Sequence, residues 1–187
     1  MSSYRIILEE PQHAAKIEHL LDRTFGPTRN GRTVYRLREN HPPLADLCFV
    51  AVDQDRSLLA LLRFWPILIE ESPAILLGPL AVEPALQGRG IGKALVRHAL
   101  TCAKRLGHRI CVVVGEPSYY APYGFRPAGE AGLLLPGPVE PHRFQVLELS
   151  PDALQETRGR IQRDESPRSS RPSPEAEWAA SLLARSG

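Results

Sequence analysis

Seven consecutive residues, Gln87-Gly88-Arg89-Gly90-Ile91-Gly92-Lys93, combine three glycines with two cations. An apolar run closes just before them at Val82, and a helical pattern opens within them. Glycine costs a helix about 1 kcal/mol relative to alanine, so three at a helix start need a purpose. Small residues let the backbone approach an anion closely. A helix N-terminus adds unpaired N–H groups and a partial positive charge. Together they suit main-chain binding of a group such as pyrophosphate, with Arg89 and Lys93 as mobile positive charge. On the loop alone, a turn that merely caps the helix remains open.

Two familiar phosphate loops do not fit. A P-loop needs glycine where Gln87 stands and a magnesium-binding hydroxyl where Ala94 stands. A dinucleotide-binding turn needs its third glycine at Lys93. The six histidines (His13, His19, His41, His98, His108, His142) show no metal-ligand spacing, so no metal is expected. Cys48, Cys102 and Cys111 lie among apolar residues without a CxxC pair. They read as buried small hydrophobes in a reducing, cytoplasmic setting.

The elements around the loop follow from periodicity. "YRIILEE" (4–10) is a predicted strand. Pro11 starts a predicted helix, with Ala14, Ile17, Leu20, Leu21 and Phe25 on one face and Gly26 as its stop. "GRTVYRLREN" (31–40) is predicted as a second short helix, with Arg36 and Arg38 on a solvated face. Three strands are predicted at 47–53, 58–71 and 72–82, with Pro66 marking a bulge or an edge. The helix after the glycines runs to about Leu106 with Ile91, Leu95, Cys102 and Leu106 on one face, and Gly107 caps it. "RICVVVGE" (109–116) has the nearly all-apolar character of a central strand. A turn-rich "PSYYAPYGFRPA" and a strand at 142–149 follow, and "PDALQETRGRIQR" (151–163) is predicted as a short helix.

The pattern is α/β, with antiparallel strands first and a strand–helix–strand unit at its centre. From Asp164 the chain turns polar and proline-rich and reads as a flexible tail (164–187), within which "EAEWAASLLARSG" could form an isolated helix. The chain has 187 residues and a net charge of +2, too balanced to argue for nucleic acid or an anionic membrane. No apolar run approaches the roughly 20 residues of a membrane span, and "MSSYRIILEEPQ" has no signal-peptide pattern.

"PLAVEPALQGRGIGKALV" (79–96) resembles motif A of the GCN5-related N-acetyltransferases, the acetyl-CoA-binding segment of that superfamily. "PSYYAPYGF" (117–125) resembles the tyrosine-rich segment that follows the family's fifth strand. The two motifs stand about 30 residues apart in the expected order, and the likeness to the YhbS-like group runs from Tyr4 to Arg163. It implies one domain over 1–163 with a mixed, mostly antiparallel sheet of about six or seven strands and about four helices. Strands four and five would splay to admit acyl-CoA.

The resemblance also assigns roles, and it puts Arg36 and Arg38 in the region that usually shapes the acceptor pocket, beside the favoured reading of a solvated helix face. Leu80, Ala81 and Val82 would pair with the pantetheine arm as an added strand. Gln87, Gly88, Arg89, Gly90, Ile91, Gly92 and Lys93 would hold the pyrophosphate, and Ser118 either contacts CoA or caps the short helix. The backbone amide near Leu80 would polarise the thioester carbonyl. Tyr120, four residues before the Gly of Gly-Phe, aligns with the family's general acid, while Tyr119 and Tyr123 read as packing residues.

The family often draws its base from a strand-four glutamate, which "AILLGPLAV" lacks; Glu70, Glu71, Glu83 and His41 are the candidates, with ordered water or neutral amine as substitutes. The implied activity is acetyl transfer from acetyl-CoA to a primary amine, by direct attack, in a monomer or homodimer. The alternatives are a non-catalytic acyl-CoA sensor and a transferase of longer acyl groups.

Overall fold

The structure is a computed structural model and describes residues 3–26 and 33–165. β1 (Arg5–Leu8) pairs antiparallel with β2 (Phe49–Val52), which pairs antiparallel with β3 (Leu58–Ile69) across a tight turn. β3 and β4 (Ser72–Val82) form the long central hairpin. β5 (Ile110–Val114) lies parallel to β4, as a strand–helix–strand crossover requires. β8 (Phe144–Glu148) then pairs antiparallel with β5, and the two-residue β6 (Arg126–Pro127) edges β8.

Seven strands make the main path, in the order β1-β2-β3-β4-β5-β8-β6, and the described residues form nine. The two strands beyond expectation are short: β7 (Leu133–Leu134) pairs with β9 (Gly159–Arg163), which joins the far half of β3. The helix predicted over 151–163 is therefore corrected. Gly159 has φ +112, which a helix forbids, and a Cβ there would overlap the Glu70 carboxylate. That carboxylate accepts the Arg160 amide at 2.7 Å and draws the segment onto the sheet.

α1 (Ala14–Phe25) follows a single 3-10 turn at Pro11–His13 and ends at Gly26. It buries Ile17, Leu20 and Leu21 against Val50 and Leu61, while Ala14 stays exposed. α3 (Ile91–Arg105) covers the opposite face, where Ala60, Leu62 and Phe64 point. Its buried face is Ile91, Leu95, Val96, Ala99, Leu100 and Ala103; Cys102 and Leu106 are only half-buried. The sequence reading weighted large apolar residues, whereas close helix–sheet approach favours alanines along the contact. α2 (Thr33–Arg36) is shorter than predicted and gives way to turns over 37–40. α4 (Pro117–Tyr120) continues into a 3-10 turn.

Pro66 lies outside the bulge and at a local edge of β3, the second of the two expected alternatives. It pairs with Ile75 in β4, and its other flank lies between the β2 pairing, which ends at Leu62, and the β9 pairing, which begins at Ile67. A missing N–H costs nothing on that uncovered flank. Among the described residues no helix is long and apolar enough to cross a membrane. Residues 31, 32 and 166–187, including most of the expected tail and its helix, lie outside the described residues.

Candidate active site

β4 and β5 pair at Ile75↔Cys111 and Leu76↔Val112, and then part. The cause is visible on the other side of β4. Leu62 opposes Leu80 and Phe64 opposes Leu77, so Gly78 and Pro79 together face Arg63 alone. This is a β-bulge, which bends a strand away from its neighbour. Gly78 takes φ +119, available to glycine at little cost. Beyond the bulge the β5-facing edge of β4 has no strand partner, and a cavity of about 570 Å³ opens between the two strand ends.

The glycine loop sits at one end of this opening. Gly88 and Gly90 have φ +78 and +86, and a Cβ on either would meet nothing within 4 Å, so these glycines are required by backbone conformation. Gly92 is required by space: its Cβ would crowd the Tyr119 hydroxyl at 2.7 Å and Val82 at 3.2 Å. The Gln87 side chain donates to the Val82 carbonyl at 3.3 Å and ties the loop to the end of β4. Gly90 is the N-cap of α3. Among the described residues no carbonyl accepts from the amides of Gly88, Gly90, Ile91, Gly92 or Lys93. The loop thus fits an anionic group, with exposed Arg89 and Lys93 beside it.

The aromatic wall comes from α4. Tyr120 is 7% exposed, and its ring packs edge-on to Tyr119 at 5.0 Å and to Phe125 at 5.5 Å. Gly115 makes this possible, because a Cβ there would overlap the Tyr120 ring. Burial pushes the Tyr120 phenol well above its usual range, reinforced by Tyr119 and opposed by the Arg38 charge. Burial also pushes Tyr119 up to about 12. Tyr119 and Tyr123 share a hydrogen bond and pack against the core as expected, and both also line the cavity. Ser118 lines it too, and the cap reading is corrected: Glu116 is the N-cap of α4 and Ser118 lies inside the helix.

Leu80, Lys93, Ser118 and Tyr120 meet around this one cavity. Ala81, Val82 and Gln87 through Gly92 are not among its lining residues; they continue β4 beyond Leu80 and lead through the loop to Lys93, and Ala81 is buried. The four base candidates do not line it. Glu70 is occupied at the distant β3–β4 turn with Glu71 beside it; Glu83 pairs with Arg23; His41 lies in the loop after Arg38. Among the described residues the carboxylate on the cavity wall belongs to Glu116, which follows Gly115 in the turn out of β5. Its place before "PSYY" is the signal that could have found it.

Arg38 departs most from expectation. Arg36 is exposed as predicted, but Arg38 is 9% exposed and lines the same cavity as Tyr120. Its Nη2 lies 2.9 Å from where a Gly78 Cβ would stand. The guanidinium rests over the Tyr35 ring at 5.0 Å, and its Nε has no hydrogen-bond partner. Burial lowers its pKa to about 10, opposed in part by Tyr35, so it is charged at neutral pH. That shift corresponds to about 3 kcal/mol of desolvation cost not recovered within the protein. Lys93, Arg97 and Arg143 line the cavity as well, against the single carboxylate of Glu116, and the site is strongly cationic.

Known proteins resemble this chain in sequence and fold. The family described as "Acetyltransferase (GNAT) domain" matches residues 45–127, the span from β2 to β6 that contains the bulge, loop and tyrosines. The uncharacterised N-acetyltransferase YhbS of Escherichia coli (strain K12) is 30% identical over 159 residues, 84% of this chain and 94% of YhbS. The crystal structure of E. coli YhbS in complex with CoA superposes with a TM-score of 0.77 at 28% identity, covering 88% of this chain and 92% of that one. A GNAT acetyltransferase from Brucella melitensis in complex with acetyl-CoA gives 0.66 at 28% identity, covering 88% and 98%. With a GNAT domain match across β2 to β6 and a relative 30% identical over 84% of its length, the chain belongs to the GCN5-related N-acetyltransferase (GNAT) family.

Proposed function

We propose that the protein is an N-acetyltransferase that uses acetyl-CoA to acetylate a primary amine directly within a ternary complex. The observation that carries this is the opening between β4 and β5, with unpaired loop amides at one end and a buried phenol on its wall. The CoA and acetyl-CoA complexes of the two relatives support the same cosubstrate. Acetyl-CoA supplies an activated acetyl thioester when bound.

The chain's own residues account for the rest. The edge of Leu80, Ala81 and Val82 offers main-chain pairing to an extended arm. The amides of Gly88, Gly90, Ile91, Gly92 and Lys93 bind the pyrophosphate, with the Arg89 and Lys93 side chains adding charge. The Leu80 amide donates to the carbonyl oxygen as it gains negative charge, an interaction worth roughly 3 kcal/mol in such sites. Tyr120 keeps its proton at any physiological pH and therefore acts as a donor to the departing sulfur. The Arg38 charge lowers its pKa against the effect of burial and makes that donation easier. Glu116 is the group on the wall able to take the amine's proton, directly or through water. Free cysteines, two of them buried, suit a reducing compartment, and we place the activity in the cytoplasm.

The test of the cosubstrate site is Gly90→Asp. The substitution forces a side chain onto φ +86 and puts negative charge at the helix mouth. By calorimetry it should weaken acetyl-CoA binding by at least about 10-fold, the equivalent of about 1.4 kcal/mol. Unchanged affinity in a folded variant would remove the loop from the site.

A further inference from the structure

Acetyl transfer as described gives Tyr120 a neighbouring charge but leaves the Arg38 fork itself without an occupant. Arg38, Tyr35 and Pro79 line the cavity that holds Tyr120, and the same three residues line a second cavity of about 380 Å³ on the α1–α2 side. The guanidinium therefore stands where the two spaces meet. No ion pair within 4 Å links it to a carboxylate of the described residues, and its Nε has no partner.

Its neighbour Arg63 contrasts with it. Arg63 lines the second cavity too, but Glu9 takes its Nε at 2.7 Å and its Nη2 at 2.6 Å. On the same wall Trp65 carries another buried donor, Nε1, without an acceptor. Glu18 and Glu39 contribute to that cavity and are exposed. Two buried donors without acceptors call for a ligand group that brings lone pairs and negative charge. A planar guanidinium fork matches a carboxylate with two parallel bonds.

The position of Arg38 sets a length. Its Nη2 lies 2.9 Å, and the Leu80 amide nitrogen 3.9 Å, from the point where a Gly78 Cβ would stand. A carboxylate on Arg38 is thus close to the amide assigned to the thioester carbonyl. Building on the acetyl-transfer reading, we propose that the acceptor is a small amino acid that enters through the second cavity, its carboxylate clamped by Arg38 and its amine a few bonds away at the Leu80 end of the bulge. Long ω-amino acids and uncharged amines fit this spacing poorly.

The experiment uses the full chain with acetyl-CoA and three matched sets of acceptors. These are the common L-amino acids with glycine and β-alanine, their carboxamides, and aminomethyl- and aminoethylphosphonate. Acceptor-dependent CoA release is read with product mass, and the Tm of the CoA complex is read with each compound. The best amino acid should exceed its amide in kcat/KM by roughly 30-fold or more. Arg38→Gln should abolish that preference, and Arg38→Lys, which keeps the charge and loses the fork, should restore part of it. The Tm gained with acetyl-CoA alone reports whether each variant keeps its fold and cosubstrate site.

Amides acetylated as well as acids, or a preference that survives Arg38→Gln, overturns the carboxylate clamp and leaves acetyl transfer standing. A preference for the phosphonates corrects the anion from carboxylate to phosphonate and overturns the amino-acid assignment. A carboxylate-dependent Tm shift lost in Arg38→Gln, without any turnover, upholds the clamp and overturns the transferase reading. Neither turnover nor such a shift overturns both.

Discussion

Burial decides what Tyr120 can do. A phenol held far above its usual range is protonated throughout the accessible pH range and serves only as a donor. Tyr120→Phe should lower kcat by about 100-fold or more while acetyl-CoA affinity changes little, as thiol release and calorimetry would show. The sign of the pH dependence follows. A required acid loses rate only above its own pKa, and here that limb is displaced upward. The kcat/KM profile should rise as the acceptor amine loses its proton and then stay level to about pH 10. A falling limb near pH 9 that disappears in Tyr120→Phe would keep the acid role and contradict the upward displacement of its pKa. Arg38 carries the opposite lesson, a charge whose burial is unrecovered. Arg38→Met should raise stability in urea by about 1–3 kcal/mol without ligand, as replacing a buried ion with packed methylenes often does; a loss would mean that the protein already satisfies the guanidinium. The glycine loop was legible because its spacing has few other uses. Arg38 was not, because "YRLREN" is polar throughout, and only the meeting of the α2 turn with the β4 bulge buries one of its arginines.

The bulge is the element on which the site depends, and the family resemblance announced only the splay of strands four and five that goes with it. In the sequence, Gly78-Pro79 interrupts "AILLGPLAV" and could be a bulge, an edge or a turn. The register with β3 makes it a bulge, and the two-pair contact with β5 makes the bulge an opening. Gly78→Ala tests the element. It forces a side chain into φ +119 and pushes at 2.9 Å on the Arg38 guanidinium. It should cost about 1–3 kcal/mol of stability and raise the KM for both substrates. An unaltered Tm would show that the bulge relaxes freely. The missed β9 has a related cause. "GRIQR" has too few apolar residues to announce a strand, and its place on the sheet comes from the Glu70 carboxylate, about 90 residues earlier.

For the whole molecule, two faces of one sheet divide the labour. In the proposed account α3 and the glycine loop serve the cosubstrate and the cavity beside α1 and α2 takes the acceptor, with the parted ends of β4 and β5 between them. The proposed cosubstrate side was legible in the sequence, because backbone binding of a phosphate demands particular glycines. It left the second open, because an acceptor pocket is assembled from side chains far apart in the chain. Acetyl-CoA at 100 times its dissociation constant should stabilise the native protein by about 2.7 kcal/mol. The most direct test of the central claim is acceptor-dependent CoA release from acetyl-CoA across an amine library, with the product identified by mass. The account predicts turnover of at least one primary amine, yielding an N-acetyl product, with the rate reduced by about 100-fold or more in Tyr120→Phe. Tight acetyl-CoA binding with no amine acetylated, or turnover indifferent to Tyr120→Phe, would contradict it.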